Sequence, residues 1–407
     1  EARPQALSMP MPDFPSRPLS IPRPEAEEPG PPGAFLPAIA PAPSAPEPPP
    51  PEPPAPLPAL EPLAPAPYPP AMPVLSFTES GIHCEAGGFH IDPWRPVERA
   101  VLTHGHSDHA RPGMGRYLST DLAAPVIRHR LGDVDLSTIP YGERRTIGEA
   151  TVSFHPAGHV PGSAQVRVEV RGEAWVVSGD YKVVDDGLST PWEPVPCHAF
   201  ISECTFGLPV FRWTPQDALA SDLNAWWAAN REAGRFSLVG AYSLGKAQRI
   251  LHLLEPQGPI LTHGAVESVT EVLRAQGLPL PPTERVGAGL DLKARAGALV
   301  VAPPSALQAP WARKFGEAAT AVASGWMALR GIRRRRGADK GLVMSDHADW
   351  PGLNEAIRAT GAQRVFVTHG YTGQFRRWLE EQGYDAGIVS TDWDHGEEAD
   401  ASEEAPE

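Results

Sequence analysis

From about residue 74 onward, short β-rich runs closed by Gly, Asp or His recur, and several stop on an ionisable residue. Eight read as strands: AVLTHGH (100–106), TVSFHPAGH (151–159), AWVVSGD (174–180), AFISECT (199–205), SLVGAYS (237–243), ALVVAPP (298–304), GLVMSDH (341–347) and RVFVTHG (364–370). Helical patterns fill the gaps between them. TPQDALASDLNAWWAANREAG places Leu219, Leu223, Trp226 and Trp227 on one face, with Thr214 as the expected N-cap and Pro215 in the first turn. AYSLGKAQRILHLLE reads as a strand followed by a helix capped by Ser243, with Leu244, Ala247, Leu251 and Leu254 turned inward. Strands alternating with helices predict an α/β fold, and in such folds functional groups gather where strands end. No internal repeat is visible.

Composition divides the chain. Of its 50 prolines, 28 fall before residue 74, in runs such as PEPPAPLPALEPLAPAPYPP. Such a stretch can neither build backbone ladders nor bury enough apolar surface, so residues 1–73 are expected to be a disordered, partly polyproline II extension. Residues 391–407 form an acidic run expected to stay solvated. Residues 1–73 carry a net −5 and residues 391–407 a net −8 of the formal −14, which leaves the part between them near neutrality. Whole-molecule charge therefore argues neither for nor against a nucleic-acid substrate. Cys84, Cys197 and Cys204 make no C-x-x-C pair and suit a reducing compartment. With no membrane-length apolar run and no signal-peptide core, the expected location is cytoplasmic.

The densest chemistry lies in THGHSDHARPG, where His104, His106, Asp108 and His109 form H-x-H-x-D-H directly after a strand. Imidazole and carboxylate without cysteine suit an open hydrolytic metal site better than a closed structural one. His104 and His106 point the same way from extended backbone and can take one ion; Asp108 and His109, past the turn, can take a second. Two ions about 3.5 to 4 Å apart need more ligands than one loop supplies. His159, Asp180 and His369, each at a strand end, are the expected additions, and Asp180 has two oxygens with which to bridge. His263 in ILTHGAV imitates His369 locally; His369 is preferred because it follows SDHAD near the end of the fold.

Taken in order, His104, His106, Asp108, His109, His159 and Asp180 resemble the metallo-β-lactamase fold, a four-layer αββα sandwich with its site along one edge of the two sheets. Asp92 in FHIDPW resembles that family's early aspartate, which supports the site from behind. Glu203 in SECTFG, His347 in MSDHAD and His369 in VTHGY are similar to the three further motifs of the β-CASP branch, the nucleic-acid-processing nucleases. The resemblance implies a first sandwich part over 74–209, an inserted α/β β-CASP domain over 210–335 and a closing part over 336–390. Within the branch, HARPGMGRYLST, GHVPGSAQV, GDYK, ECTFGLPVFRW, YSLGKAQRI and SDHADWPGL resemble the bacterial DNA ligase-associated exonuclease family. Met114 departs from it, standing where many relatives have histidine.

This implies metal-dependent hydrolysis of phosphodiester bonds in DNA, with an ATP-dependent ligase and a helicase as partners. Two divalent ions, zinc or alternatively manganese, would be held by the residues above, with Asp108 and Asp180 central to catalysis. His347 is the candidate to donate a proton to the departing oxygen or to stabilise its charge, with Glu203 orienting its ring. An ordinary structural pair is the alternative. Ser243 and Lys246 are candidates for a substrate phosphate, the alternative being a solvated lysine. The run RGIRRRRG (330–337) is either a track for a nucleic-acid backbone or a solvated basic turn. A ribonuclease of the same branch is the first rival, because these motifs do not report the 2′-hydroxyl. A small-molecule hydrolase of the same fold is disfavoured by the insertion and by the Glu203 and His347 motifs. A non-catalytic scaffold is disfavoured because no ligand is missing.

Overall fold

A computed structural model describes residues 73–389 except Arg336. Residues 1–72 of the expected proline-rich extension, and the acidic tail, lie outside the described residues.

Apolar positions along the strands fall on alternate faces, and the way those faces are covered organises the molecule. Among the described residues there are three sheets. The first contains β1 (Ser76–Thr78), β2 (Gly81–Cys84), β3 (Phe89–Ile91), β4 (Arg99–Val101), β5 (Arg116–Thr120) and β6 (Leu136–Ile139), paired in sequence order, with helix α1 (Ala124–Leu131) before the last strand. The second begins with β7 (Arg144–Ile147), β8 (Ala150–Pro156), β9 (Ala164–Val170), β10 (Glu173–Val177) and β11 (Ala199–Cys204).

The chain then leaves for a long excursion. It runs through α2 (Gln216–Glu232), β12 (Ser237–Gly240), α3 (Lys246–His252), β13 (Ile260–Thr262), α4 (Gly264–Ala275), β14 (Glu284–Arg285), β15 (Leu299–Ala302), α5 (Pro304–Gln308), β16 (Ala319–Ala323), α6 (Arg330–Arg335) and β17 (Lys340–Leu342). These strands form a separate parallel sheet in the order β14-β13-β15-β12-β16-β17. Its last strand lies beyond the boundary expected at residue 335. The chain returns through α7 (Trp350–Thr360) to β18 (Arg364–Gly370), then α8 (Thr372–Glu381) and β19 (Asp385–Ile388). Strand β18 pairs in parallel with β11, the strand from which the chain departed, and Glu203 lies opposite Thr368. The return thus puts His369 beside the end of β11.

The first two sheets share one core, in which Phe89, Ile91, Val101 and Leu118 pack with Phe154, Val166, Trp175 and Ile201. The outer face of the first sheet is covered by α1 through Ala124 and Ile127. The outer face of the second is covered by α7 and α8 through Leu353, Ile357, Phe375 and Leu379. Each fully buried aliphatic or aromatic side chain of this kind contributes about 1.5 to 3 kcal/mol from desolvation. The third sheet has its own core, built on Val239, Leu299 and Val301 with α2, α3 and α4.

Two cap expectations need correction. Helix α2 begins at Gln216 with Pro215 as its cap residue, because the extended backbone of Pro215 (φ −52°, ψ 142°) already sets the entry that Thr214 was expected to supply. Leu219, Leu223 and Trp227 are buried as expected, and Trp226 is partly so. Helix α3 begins at Lys246 with Gly245, not Ser243, as its cap; its φ of +91° suits glycine. Among the described residues, no helix is long and apolar enough to cross a membrane.

Candidate metal centre

Strand β4 delivers the H-x-H-x-D-H loop, and α1 holds it from behind. Arg130 Nη1 donates to the carbonyls of Gly105 (2.7 Å) and Ala110 (3.4 Å), at the two ends of the loop. Gly105 sits against Val126, where an added Cβ would lie 3.0 Å from Cγ1.

Three imidazoles converge in the first cluster. His106 Nδ1 lies 3.0 Å from His104 Nε2 and 3.1 Å from His159 Nε2. Their outer nitrogens are occupied: His106 Nε2 donates to Leu244 O (3.2 Å) and His159 Nδ1 to Asp346 O (2.8 Å). His104 Nδ1 lies 3.0 Å from Thr103 Oγ1, whose own proton goes to Asp92 Oδ2 at 2.6 Å, so the hydroxyl accepts from the ring. Three lone pairs therefore face inward. Burial holds His104, His106 and His159 below the usual histidine range, and for His104 the neighbouring His109 adds to it, so these rings are neutral at pH 7 as ligation requires.

A second cluster joins Asp108, His109 and His369. His109 Nδ1 is held by Asp92 Oδ2 at 2.8 Å, and Asp92 is pinned by Thr103 N (2.8 Å). Asp108 Oδ1 is buried without a hydrogen-bond partner, which costs about 1 to 3 kcal/mol unless something outside the chain binds there, while His109 Nε2 faces Asp108 Oδ2 at 3.2 Å. Burial disfavours the charged ring of His109, yet Asp108, Asp180 and Asp92 raise it well above the usual histidine range, so an ion held at Nε2 would take the place of a proton there. Burial likewise opposes ionisation of Asp108 and Asp180, but His109 holds both below the usual carboxylate range.

Asp180 stands between the clusters. Its Oδ2 is 3.6 Å from His104 Nε2, 3.7 Å from His159 Nε2 and 3.4 Å from His109 Nε2. The preceding Gly179 has a φ of +56°, and a Cβ there would fall 2.6 Å from that of Thr103. Asp92 (φ +42°) and His369 (φ +57°) are also left-handed, a costly conformation for residues with side chains, and both flank the site.

Asp180 also meets Glu203 and His347 in a third cluster. His347 Nδ1 lies 2.9 and 3.0 Å from the two Glu203 oxygens, and the His159 and His347 rings are 4.7 Å apart. Burial alone would lower His347, but Glu203 and Asp180 raise it to about 9. Glu203 is itself fixed by Thr205 Oγ1 (2.6 Å) and Tyr181 N (3.1 Å). A small cavity of about 40 Å³ adjoins Asp108, His109 and His369, its apolar wall made by Ile82, Ile91, Trp94, Val177 and Ile201.

Lys246 is buried at 5% exposure with Nζ 4.5 Å from the centre of the Tyr242 ring, which removes the solvated-lysine alternative. Its charge acts on both His106 and His347. Ser243 is half-buried, and its carbonyl accepts from Gln248 Nε2 at 2.9 Å. Arg330–Arg335 form a short helix rather than a turn, with Arg333, Arg334 and Arg335 exposed; Arg336 lies outside the described residues. His263 caps α4, accepting from Ala265 N at 3.2 Å, and packs on Trp311; it joins none of the three clusters. Thr103, Arg130 and the carbonyls of Leu244 and Asp346 escaped the sequence reading. Only Thr103, beside the histidine motif, left a signal that could have been read.

No family model matches the chain. A protein of Opitutus terrae named Probable DNA ligase is 29% identical over 317 residues, covering 77% of this chain and 31% of that protein. RNase aCSPSF2 of Saccharolobus solfataricus is 27% identical over 33% of this chain and 28% of its own length. Ribonuclease TTHA0252 of Thermus thermophilus is 26% identical over 42% of this chain and 45% of its own. The chain thus spans less than half the length of each of these relatives. A solved structure of a protein of unknown function from Enterococcus faecalis V583 aligns with a TM-score of 0.51 at 12% identity, over 72% of this chain and 79% of that one, a likeness of fold alone. In its motifs and in the relatives it matches, the chain resembles the β-CASP branch of the metallo-β-lactamase fold. Within that branch it resembles the DNA ligase-associated exonuclease family, and one relative carries the name of a ligase.

Proposed function

We propose that this chain is a metal-dependent DNA exonuclease, acting in end processing and repair linked to an ATP-dependent DNA ligase. The observation that carries the proposal is the convergence of two ligand clusters on one carboxylate oxygen, Asp180 Oδ2. The helix-flanked pair of sheets is read as the four-layer αββα sandwich, and the third sheet as the inserted β-CASP domain.

The donor sets fit two divalent ions, Zn²⁺ or alternatively Mn²⁺. His104, His106 and His159 would hold one, Asp108, His109 and His369 the other, with Asp180 shared; the orphaned Asp108 Oδ1 would gain the partner it lacks. Such ions, when bound, supply a nucleophile active at neutral pH and neutralise charge on the phosphoryl oxygens. The chain's own groups do the rest. Glu203 engages His347 Nδ1, which leaves Nε2 to hold a proton for the departing oxygen. Lys246 Nζ and Ser243 would bind a substrate phosphate, and the exposed arginines of α6 would follow the strand outward.

A second reading, a ribonuclease of the same branch, is favoured by the names of two relatives. Matched single-stranded DNA and RNA, labelled at either end and digested with Zn²⁺ or Mn²⁺, separate the two. Progressive shortening of DNA, absent with Asp108→Ala, is expected; preferential RNA cleavage moves the assignment to the ribonuclease.

A further inference from the structure

The stretch from Leu244 to Arg249 belongs to the excursion between β11 and β18, yet it touches the first cluster directly at one point and, through the loop that carries Asp346, indirectly at a second. Leu244 O accepts from His106 directly. Arg249, only 5% exposed, reaches the loop that carries Asp346: its Nη1 donates to Ser345 O at 2.7 Å and lies 3.7 Å from Asp346 Oδ1, while Nε donates to Gln216 Oε1 at 3.2 Å. Asp346, 2% exposed, supplies the carbonyl that orients His159. The fit leaves no slack, since a Cβ on Gly245 would fall 2.6 Å from Val160 Cγ1 and 2.9 Å from Asp346 Oδ2.

A buried cation is a costly way to fill space, because apolar residues of similar volume often stabilise as well or better. What a guanidinium adds is direction. Its planar fork serves a carbonyl, a carboxylate and an amide at once, which an ammonium cannot do in fixed geometry.

We propose that Arg249 is a positioning residue for the metal centre: by fixing the main chain at 345–346 it aims the Asp346 carbonyl that orients His159, and it sets His347 against Glu203. The inference rests on the metal reading above, not on the identity of the nucleic acid.

Cobalt(II) titration of the full chain, followed by ligand-field absorption, tests it without reference to turnover. Arg249→Met is expected to bind Co²⁺ roughly 10- to 100-fold more weakly and to shift the absorption band. Arg249→Lys should recover only part of this loss. Phe315→Ala, a truncation in a separate core of the third sheet that includes no residue of the 244–249 stretch or the 345–346 loop, should lower the thermal midpoint while leaving the affinity unchanged. Wild-type affinity and band in Arg249→Met would overturn the proposal, as would equal weakening by Phe315→Ala. Should the Met variant not fold, Asp346→Asn, which keeps the carbonyl and removes its charge, is expected to weaken Co²⁺ binding, and unchanged affinity there overturns the proposal. Wild-type protein that takes up no Co²⁺ sinks the metal reading and this inference together; uptake without nuclease activity sinks only the nuclease.

Discussion

His106 Nε2 lies 3.2 Å from the carbonyl oxygen of Leu244, 138 residues further along the chain. A ring delivered by a loop after β4 is thereby set in its tautomer by backbone from the excursion that follows β11. The site is a joint product of distant segments, and its parts are expected to respond differently to substitution.

Asp92 holds His109 at 2.8 Å while strained to a φ of +42°. Asp92→Ala is expected to weaken metal binding by about 10- to 100-fold, because His109 loses the group that fixes its ring. Competition with a chelator of known affinity measures this. Unchanged affinity would mean that Asp92 supports the fold alone.

His347 pairs with Glu203 and, in this account, ligates nothing. His347→Ala should lower turnover by roughly 10²- to 10⁴-fold with metal content intact. Elemental analysis alongside initial rates decides the matter, and loss of metal would reassign His347 as a ligand.

Gly179 tolerates no side chain without displacing Thr103. Gly179→Ala should destabilise the protein by about 1 to 3 kcal/mol, from backbone strain at φ +56° and from overpacking. It should also weaken metal binding, since Thr103 bridges Asp92 and His104. Denaturant melts combined with metal titration report both effects.

Lys182 Nζ and Asp186 Oδ2 form a buried pair at 2.6 Å. Burial would raise the Asp186 carboxyl, but Lys182 and the Ser189 N–H hold it below its ordinary value of 3.8. Because the folded value lies below the unfolded one, the pair's contribution is fully present above the unfolded value and is lost as pH falls through the folded one. Asp186→Asn should therefore cost about 3 kcal/mol near neutral pH, and the gap from wild type should close as pH drops below about 4. Urea melts across that range test this, and a gap independent of pH would contradict it.

Much of this was legible in the sequence because ligand chemistry concentrates in side chains at strand ends. The three histidines of the H-x-H-x-D-H loop, His159 and Asp180 could be read as one set before any geometry was known, and the structure gathers them. Strands β1 to β3 and β14 are two to four residues long, too short to show a period. The cap of α3 was misread because Ser243 looks like an N-cap, whereas Gly245 supplies the left-handed turn and Gln248 closes it. Main-chain carbonyls such as those of Leu244 and Asp346 are the same in every sequence, so their roles had to wait for the fold. Arg249 sat in plain view inside an amphipathic run, where an arginine more often faces solvent than a buried carbonyl.

The most direct test of the central claim is anomalous diffraction at the zinc absorption edge from crystals of the full chain grown with Zn²⁺. Two peaks are expected, one among His104, His106 and His159 and one among Asp108, His109 and His369, each within bonding distance of Asp180. A single peak, or one seated between Glu203 and His347, would contradict the account.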